Sequence, residues 1–236
     1  MTRLAVAISC HNKVRELMTC VNVLRKHWTC EQPFISVCCN DASSINTIRE
    51  LDVDAVTEGI DYRSDGRSKA WRRLRQYDTI KKAVLACNTK ADYVIQWHAD
   101  ACALDGDVVH NMLDEMHTNK KLVGFRGKWK ADDNLKRPLG HVDDHFILFD
   151  AHHAAVIFSE GQEQVDWVKS VAGHWSSEGI MSMLIQKHTA EVDMWHYDDM
   201  RNNEIDMDAG YAPDPFYPDR VSHSAIPPFN YDPVRK

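Results

Sequence analysis

One stretch constrains this chain more than any other: Asp92-Tyr-Val-Ile-Gln-Trp-His-Ala-Asp100-Ala-Cys-Ala-Leu104, an apolar run that stops at a His-x-Asp pair. A short apolar run closed off by polar residues reads as a strand buried on both faces, the kind found in parallel sheets with helices on either side. Open α/β sheets bind ligands outside the carboxyl ends of such strands. Asp100 is therefore the first candidate for chemistry.

The flanking sequence repeats the pattern. Leu4 to Ser9 is a first apolar strand, and Val14, Leu17, Met18, Val21, Leu24 and Trp28 then recur at helical spacing before a second strand, Phe34 to Cys39. Ser43 or Ser44 caps a short helix running to Leu51, and Ala55 to Thr57 is a weak third strand. Ala70, Trp71, Leu74, Tyr77, Ile80, Val84 and Leu85 predict a long helix over Lys69 to Ala86, leading into the Asp92 stretch; Val108, Val109, Met112, Leu113 and Met116 predict another after it. Strands and helices alternate, as in a mostly parallel, Rossmann-like sheet. Mixed strand directions are expected afterwards, with strands at Leu122 to Phe125, His145 to Phe149 and Glu191 to Trp195, and a helix from Ser177 to Lys187 opened by a Ser-Ser-Glu cap.

With 236 residues, 44% hydrophobic and 27% charged, the chain suits one α/β domain. We place that domain at 1–209, with a nucleotide-binding half over about 1–105 and an acceptor half over about 106–209. Six of the eight prolines fall in 210–236, which reads as an irregular tail packing on the domain. No window is long and apolar enough for a membrane span, and Met1 to Ser9 turns polar too soon for a secretory signal. Seven cysteines without a CxxC fit a reducing compartment, so the expected location is cytoplasmic. A net charge of -7 argues against a general nucleic-acid coat.

Four features fall at expected strand ends or helix starts. Ser9, His11 and Asn12 follow strand one. Asp41 follows strand two, where a carboxylate accepts from a base imide or ribose hydroxyl. His98-Ala99-Asp100 closes the Asp92 strand, where one aspartate with phosphate oxygens and waters can hold a hard divalent cation. Glu178, in His174-Trp-Ser-Ser-Glu-Gly179, stands where a general base could take a proton from an acceptor hydroxyl. The plainer reading of each acid is a helix cap or a first-turn residue.

Together these motifs resemble the GT-A class of nucleotide-sugar glycosyltransferases, most nearly family 2, over roughly residues 4 to 200. Ser9-Cys-His-Asn12 looks like the first-strand turn of that class, Asn40-Asp41-Ala42-Ser43 like its Asp-Asp-Gly-Ser, His98-Ala-Asp100 like its Asp-x-Asp, and Ser177-Glu178-Gly179 like its Glu-Asp. The resemblance implies a donor, most often a UDP-sugar, held by Ser9, His11, Asn12, Asp41, Arg67, Arg72, His98 and Ala99. It implies a divalent cation, Mn2+ before Mg2+, on Asp100 with His196 or His223, and inverting transfer with Glu178 as base. His98 departs from the first acid of Asp-x-Asp, and Gly179 from the second of Glu-Asp.

Arg63 to Lys82 is rich in basic residues, read mostly as the solvated face of a helix, with Arg67 or Arg72 reaching the diphosphate. The acceptor is expected to be a glycan, with nucleic acid as the other reading of that basic run. Trp129, Trp167 and Trp175 can stack on sugar rings or pack in the core. Two competing readings remain: a metal-dependent hydrolase using His141-Val-Asp-Asp-His145 and Asp150-Ala-His-His153, and an inactive glycosyltransferase-like binding module. A nucleotidyltransferase would need a glycine-rich loop after strand one, and none is present.

Overall fold

Continuous apolar runs make the centre of this protein. In the computed structural model, which describes residues 2–26, 28, 31–61, 69–99, 101–103, 106–128, 141–158, 161–196 and 221–223, those runs line up as neighbouring strands. β1 (Leu4–Cys10) lies between β2 (Phe34–Cys39) and β4 (Tyr93–His98), parallel to both, and β3 (Ala55–Glu58) extends the parallel set beyond β2. On the other side β4 pairs antiparallel with β7 (His141–Asp150), which pairs with β6 (Val123–Lys128), which runs parallel to β8 (Met194–His196). The order is β3-β2-β1-β4-β7-β6-β8, and a separate pair joins β5 (Ala101–Ala103) to β9 (Val221–His223). This is the mixed, mostly parallel sheet the sequence implied.

Period-two alternation along the strands divides the core into two layers. Val6, Ile8, Ile35, Val37, Ile95 and Trp97 face one side, where α1 (Val14–Lys26), α2 (Ile45–Arg49) and α4 (Gly106–Thr118) cover them. Ala5, Ala7, Cys38 and Val94 face the other, under α3 (Lys69–Cys87), α5 (Ala151–Ile157), α6 (Gln162–Val171) and α7 (Ser177–His188). The adjacent Cys38 and Cys39 accordingly enter opposite layers. Small side chains on β1 let α3 lie close to the sheet, while Trp97, fully buried, packs edge-on to Trp28 at 6.3 Å and stacks on Phe146 at 5.7 Å.

Several local expectations change. Ser44 precedes α2 but makes no side-chain cap; its hydroxyl donates to Asp41 instead. Glu191–Asp193 forms a 3-10 turn rather than the start of a strand, so β8 begins at Met194. α5 and α6 were not anticipated. Asp150 caps α5 by accepting from the His153 N–H at 2.9 Å, and the His153 ring meets Thr189 Oγ1 at 2.8 Å. Those two members of the hydrolase constellation thus hold α5 to the end of α7, and the described residues contain no group of three metal-ligating side chains.

His153 and His188, where α5 meets α7, both have pKa values lowered from 6.5, in each case chiefly because burial disfavours the charged ring. The unfolded chain therefore binds more protons than the folded one as pH falls below about 6.5, and stability is lost in that direction until the lowered folded values are passed. Thermal melts from pH 7.5 to 5 should show a falling midpoint that His153→Gln with His188→Gln makes shallower; an unchanged slope would exclude these rings as its source.

Candidate active site

The parallel register fixes which residues meet at the C-terminal edge. Ser9 stands opposite Cys38 on β2 and opposite His98 on β4, and Cys10 stands opposite Cys39. The chain beyond β1 is tied to that beyond β2: Asn40 N–H donates to Cys10 O at 3.3 Å, and His11 Nδ1–H donates to Asn40 Oδ1 at 2.6 Å. Beneath them the Cys39 thiol donates to His11 O at 3.1 Å, and its pKa is lowered chiefly by the Cys10 thiol beside it.

Asp41 is buried here, its Oδ2 accepting from the Ser43 hydroxyl at 2.7 Å and from that of Ser44. Gly59 crosses above, donating to Cys39 O at 2.8 Å; a Cβ there would come within 2.8 Å of Thr79 Cγ2 and 3.0 Å of Asn40 Cβ. Only glycine lets the exit of β3 pass so close. Ser9, His11 and Asp41 are thereby gathered at one edge, with Asn12 in the turn after β1.

His98 ends β4 and is held from α3, where Gln76 Nε2 donates to its Nε2 at 3.3 Å. One turn earlier on the same helix, Arg73 Nη1 donates to Ala172 O at 2.9 Å, anchoring the segment that enters α7. Residues three apart on a helix stand about 5–6 Å apart. One turn of α3 thus spans from the end of β4 to the loop leading to Glu178. Ser176 caps α7, accepting from Gly179 N–H at 3.2 Å, and Ser177 donates to Glu178 Oε2 at 3.3 Å. Glu178 is half-buried in the first turn, where the positive end of the helix dipole favours a carboxylate.

Ala99 N–H donates to Ser9 O at 2.9 Å and its carbonyl accepts the Cys20 thiol at 3.4 Å, so both backbone groups take part in holding the end of β4. Asp100, Arg67 and Trp129 lie outside the described residues. Arg72 is on the exposed side of α3. The two candidate metal histidines separate. His223 on β9 is the ladder partner of Ala101, the residue after Asp100, whereas His196 pairs with Phe125 at the far edge of the sheet. Three strand spacings, about 14 Å, lie between β8 and β4. Sequence reasoning passed over Gln76 and read Arg73 only as one of the basic residues of a mostly solvated face, although the two stand at i, i+3 on α3. Trp167 and Trp175 pack against the α3 to α7 core layer.

No family model matches the chain, and no curated protein sequence does. Among solved structures it is similar to the glycosyltransferase GlyE of Streptococcus pneumoniae, at 16% identity and a TM-score of 0.52, covering 89% of this chain and 49% of that one. The chain therefore spans about half the length of that protein. Mouse xyloside xylosyltransferase 1 in its apo form also matches, at 13% identity and a TM-score of 0.46, over 84% and 86% of the two chains. The fold is GT-A-like.

Arg73→Met removes a charged donor from Ala172 O, worth about 1 kcal/mol at a half-buried position. Amide hydrogen exchange over 172–177 should speed up about fivefold in the variant, with β4 unaffected. Equal protection in both proteins would show that Arg73 does not hold this loop.

Proposed function

We propose that this protein is a glycosyltransferase that moves a sugar from a nucleoside diphosphate sugar, with uridine as base, to an acceptor hydroxyl with inversion. The observation that carries this reading is the turn of α3 that joins the end of β4 to the entry of α7, on a GT-A-like sheet. That turn supports the reading because it ties the end of β4, where we put the diphosphate, to the segment that leads into the helix of Glu178.

In this reading Asp41, with the turn of Ser9, His11 and Asn12, holds base and ribose, the buried Ser9 and Asp41 fixed from below and His11 and Asn12 standing at the open edge. His98 donates to the phosphates through Nδ1–H, and Arg67 and Arg72 neutralise them from the loop and helix beside β4. Asp100 and His223 would hold the divalent cation, and their mixed oxygen and nitrogen set suits Mn2+ better than Mg2+. Such a cation, when bound, neutralises charge developing on the leaving diphosphate. Glu178 takes the proton of the acceptor hydroxyl. A glycan fits as acceptor, since the half-buried Glu178 admits a hydroxyl without any demand for a polyanion.

Glu178→Gln tests the reading. With a panel of UDP- and GDP-sugars, release of the nucleotide diphosphate should fall about 10²–10⁴-fold, while the thermal shift produced by UDP with Mn2+ stays as in the wild type. Turnover retained in the variant would remove Glu178 from the reaction, and no release from any donor by the wild type would leave a binding module.

A further inference from the structure

The ends of β1 and β2 bring two thiols together just beneath the candidate nucleotide edge. Cys10 and Cys39 are ladder partners, and both are buried in the layer that α1 covers, so their side chains leave neighbouring strands on the same face. Neighbouring strands run about 4.8 Å apart, inside the range of about 4.4–6.8 Å between Cα atoms that a disulfide spans. Both sulfurs turn toward one acceptor: His11 O lies 3.1 Å from Cys39 Sγ and 3.8 Å from Cys10 Sγ.

This pair differs from other described cysteines. Cys39 Sγ also accepts from Asp41 N–H at 3.4 Å, and the Cys10 thiol that donates to it is the first cause of its lowered pKa. Cys38, one residue away on the opposite face, and Cys87 on α3 are pushed up to about 12, each chiefly by burial. A sulfur with two donors aimed at it holds the thiolate, the form that reacts with an oxidant. We propose that Cys10 and Cys39 form a reversible disulfide, a redox-sensitive modification site built into the exits of β1 and β2. The oxidant is hydrogen peroxide, small enough to reach sulfurs that are 3% and 1% exposed. Cys39 sulfur attacks one peroxide oxygen, the O–O bond breaks, and the leaving hydroxide takes the Cys39 proton as water. Cys10 sulfur then attacks the resulting sulfenic sulfur, the S–O bond breaks, and the departing hydroxide takes the Cys10 proton as a second water. In the product neither sulfur has a hydrogen for His11 O, and Cys39 sulfur has moved toward Cys10 and away from Asp41 N–H. The turns bearing His11 and Asp41 thereby lose contacts that hold them from below. That this reaches nucleotide binding rests on the proposed function; the bond itself does not.

Peptide mapping by mass spectrometry tests it on the full chain, treated with hydrogen peroxide and quenched with an alkylating reagent. The wild type should give a linked Cys10–Cys39 peptide that dithiothreitol removes, and exchange of the Asp41 amide should quicken about fivefold in the oxidised form, as the loss of one hydrogen bond implies. Cys38→Ala should leave the link in place. Cys10→Ala should leave Cys39 as a sulfenic acid that dimedone traps, and the wild-type mapping decides the matter where that variant does not fold. A Cys39 that stays open to alkylation, that passes unlinked to sulfinic acid or that pairs with another cysteine would overturn the proposal, and so would an Asp41 amide that exchanges equally in both forms.

Discussion

The rest of this structure depends on the double burial of β1 and β4. Leu4 to Ile8 and Tyr93 to Trp97 are covered by helices on both faces, so polar chemistry is confined to the strand ends. Gln96 shows what the interior costs otherwise. It is fully buried between Ala7 and Ile147, and neither atom of its amide has a hydrogen-bond partner among the described residues. An unsatisfied buried group costs about 1–3 kcal/mol. Two residues further, His98 escapes the same penalty because α3 brings Gln76 to it.

The elements legible in the sequence are those whose signal comes from continuous burial or from a cap. β2 runs from Phe34 to Cys39 as read, and α7 starts at Ser177 because Ser176 accepts from Gly179. α6 was hidden because a polar residue occupies a core position: Gln164 is buried, accepting from the Tyr77 hydroxyl at 3.1 Å and donating to Ile157 O at 2.6 Å. α5 is only seven residues long and carries two histidines, too little for a periodic stripe. β5 and β9 have three residues each, so their pairing is a tertiary fact without local trace. Which of His196 and His223 has its backbone beside the end of β4 can be read only from that pairing and the strand order.

The basic run on α3 shows how charge misleads when read without partners. A solvated helix face was the plain expectation, yet Arg75 is 1% exposed, donating to Trp71 O at 3.1 Å and Asp61 O at 3.4 Å. Arg73 reaches the entry of α7, and Lys82 pairs with Asp78 while donating to Glu58 O at 3.0 Å. These cations tie α3 to the loop after β3 and to α6, on a helix that also packs against β1 and β2. Their long stems cover apolar surface while their heads satisfy carbonyls, as amphipathic side chains do.

His98 is where the chain departs furthest from the Asp-x-Asp pattern it otherwise resembles, and the structure gives that departure a chemical meaning. Nε2 of His98 lies 3.3 Å from Nε2 of Gln76, so a ligand that took this ring nitrogen would have to break the contact that joins β4 to α3. An imidazole in place of a carboxylate also removes a negative charge from the end of the strand. β9 returns from late in the chain to pair with the segment that follows β4, with His223 opposite Ala101, so the end of β4 is flanked by that short ladder as well as held by α3.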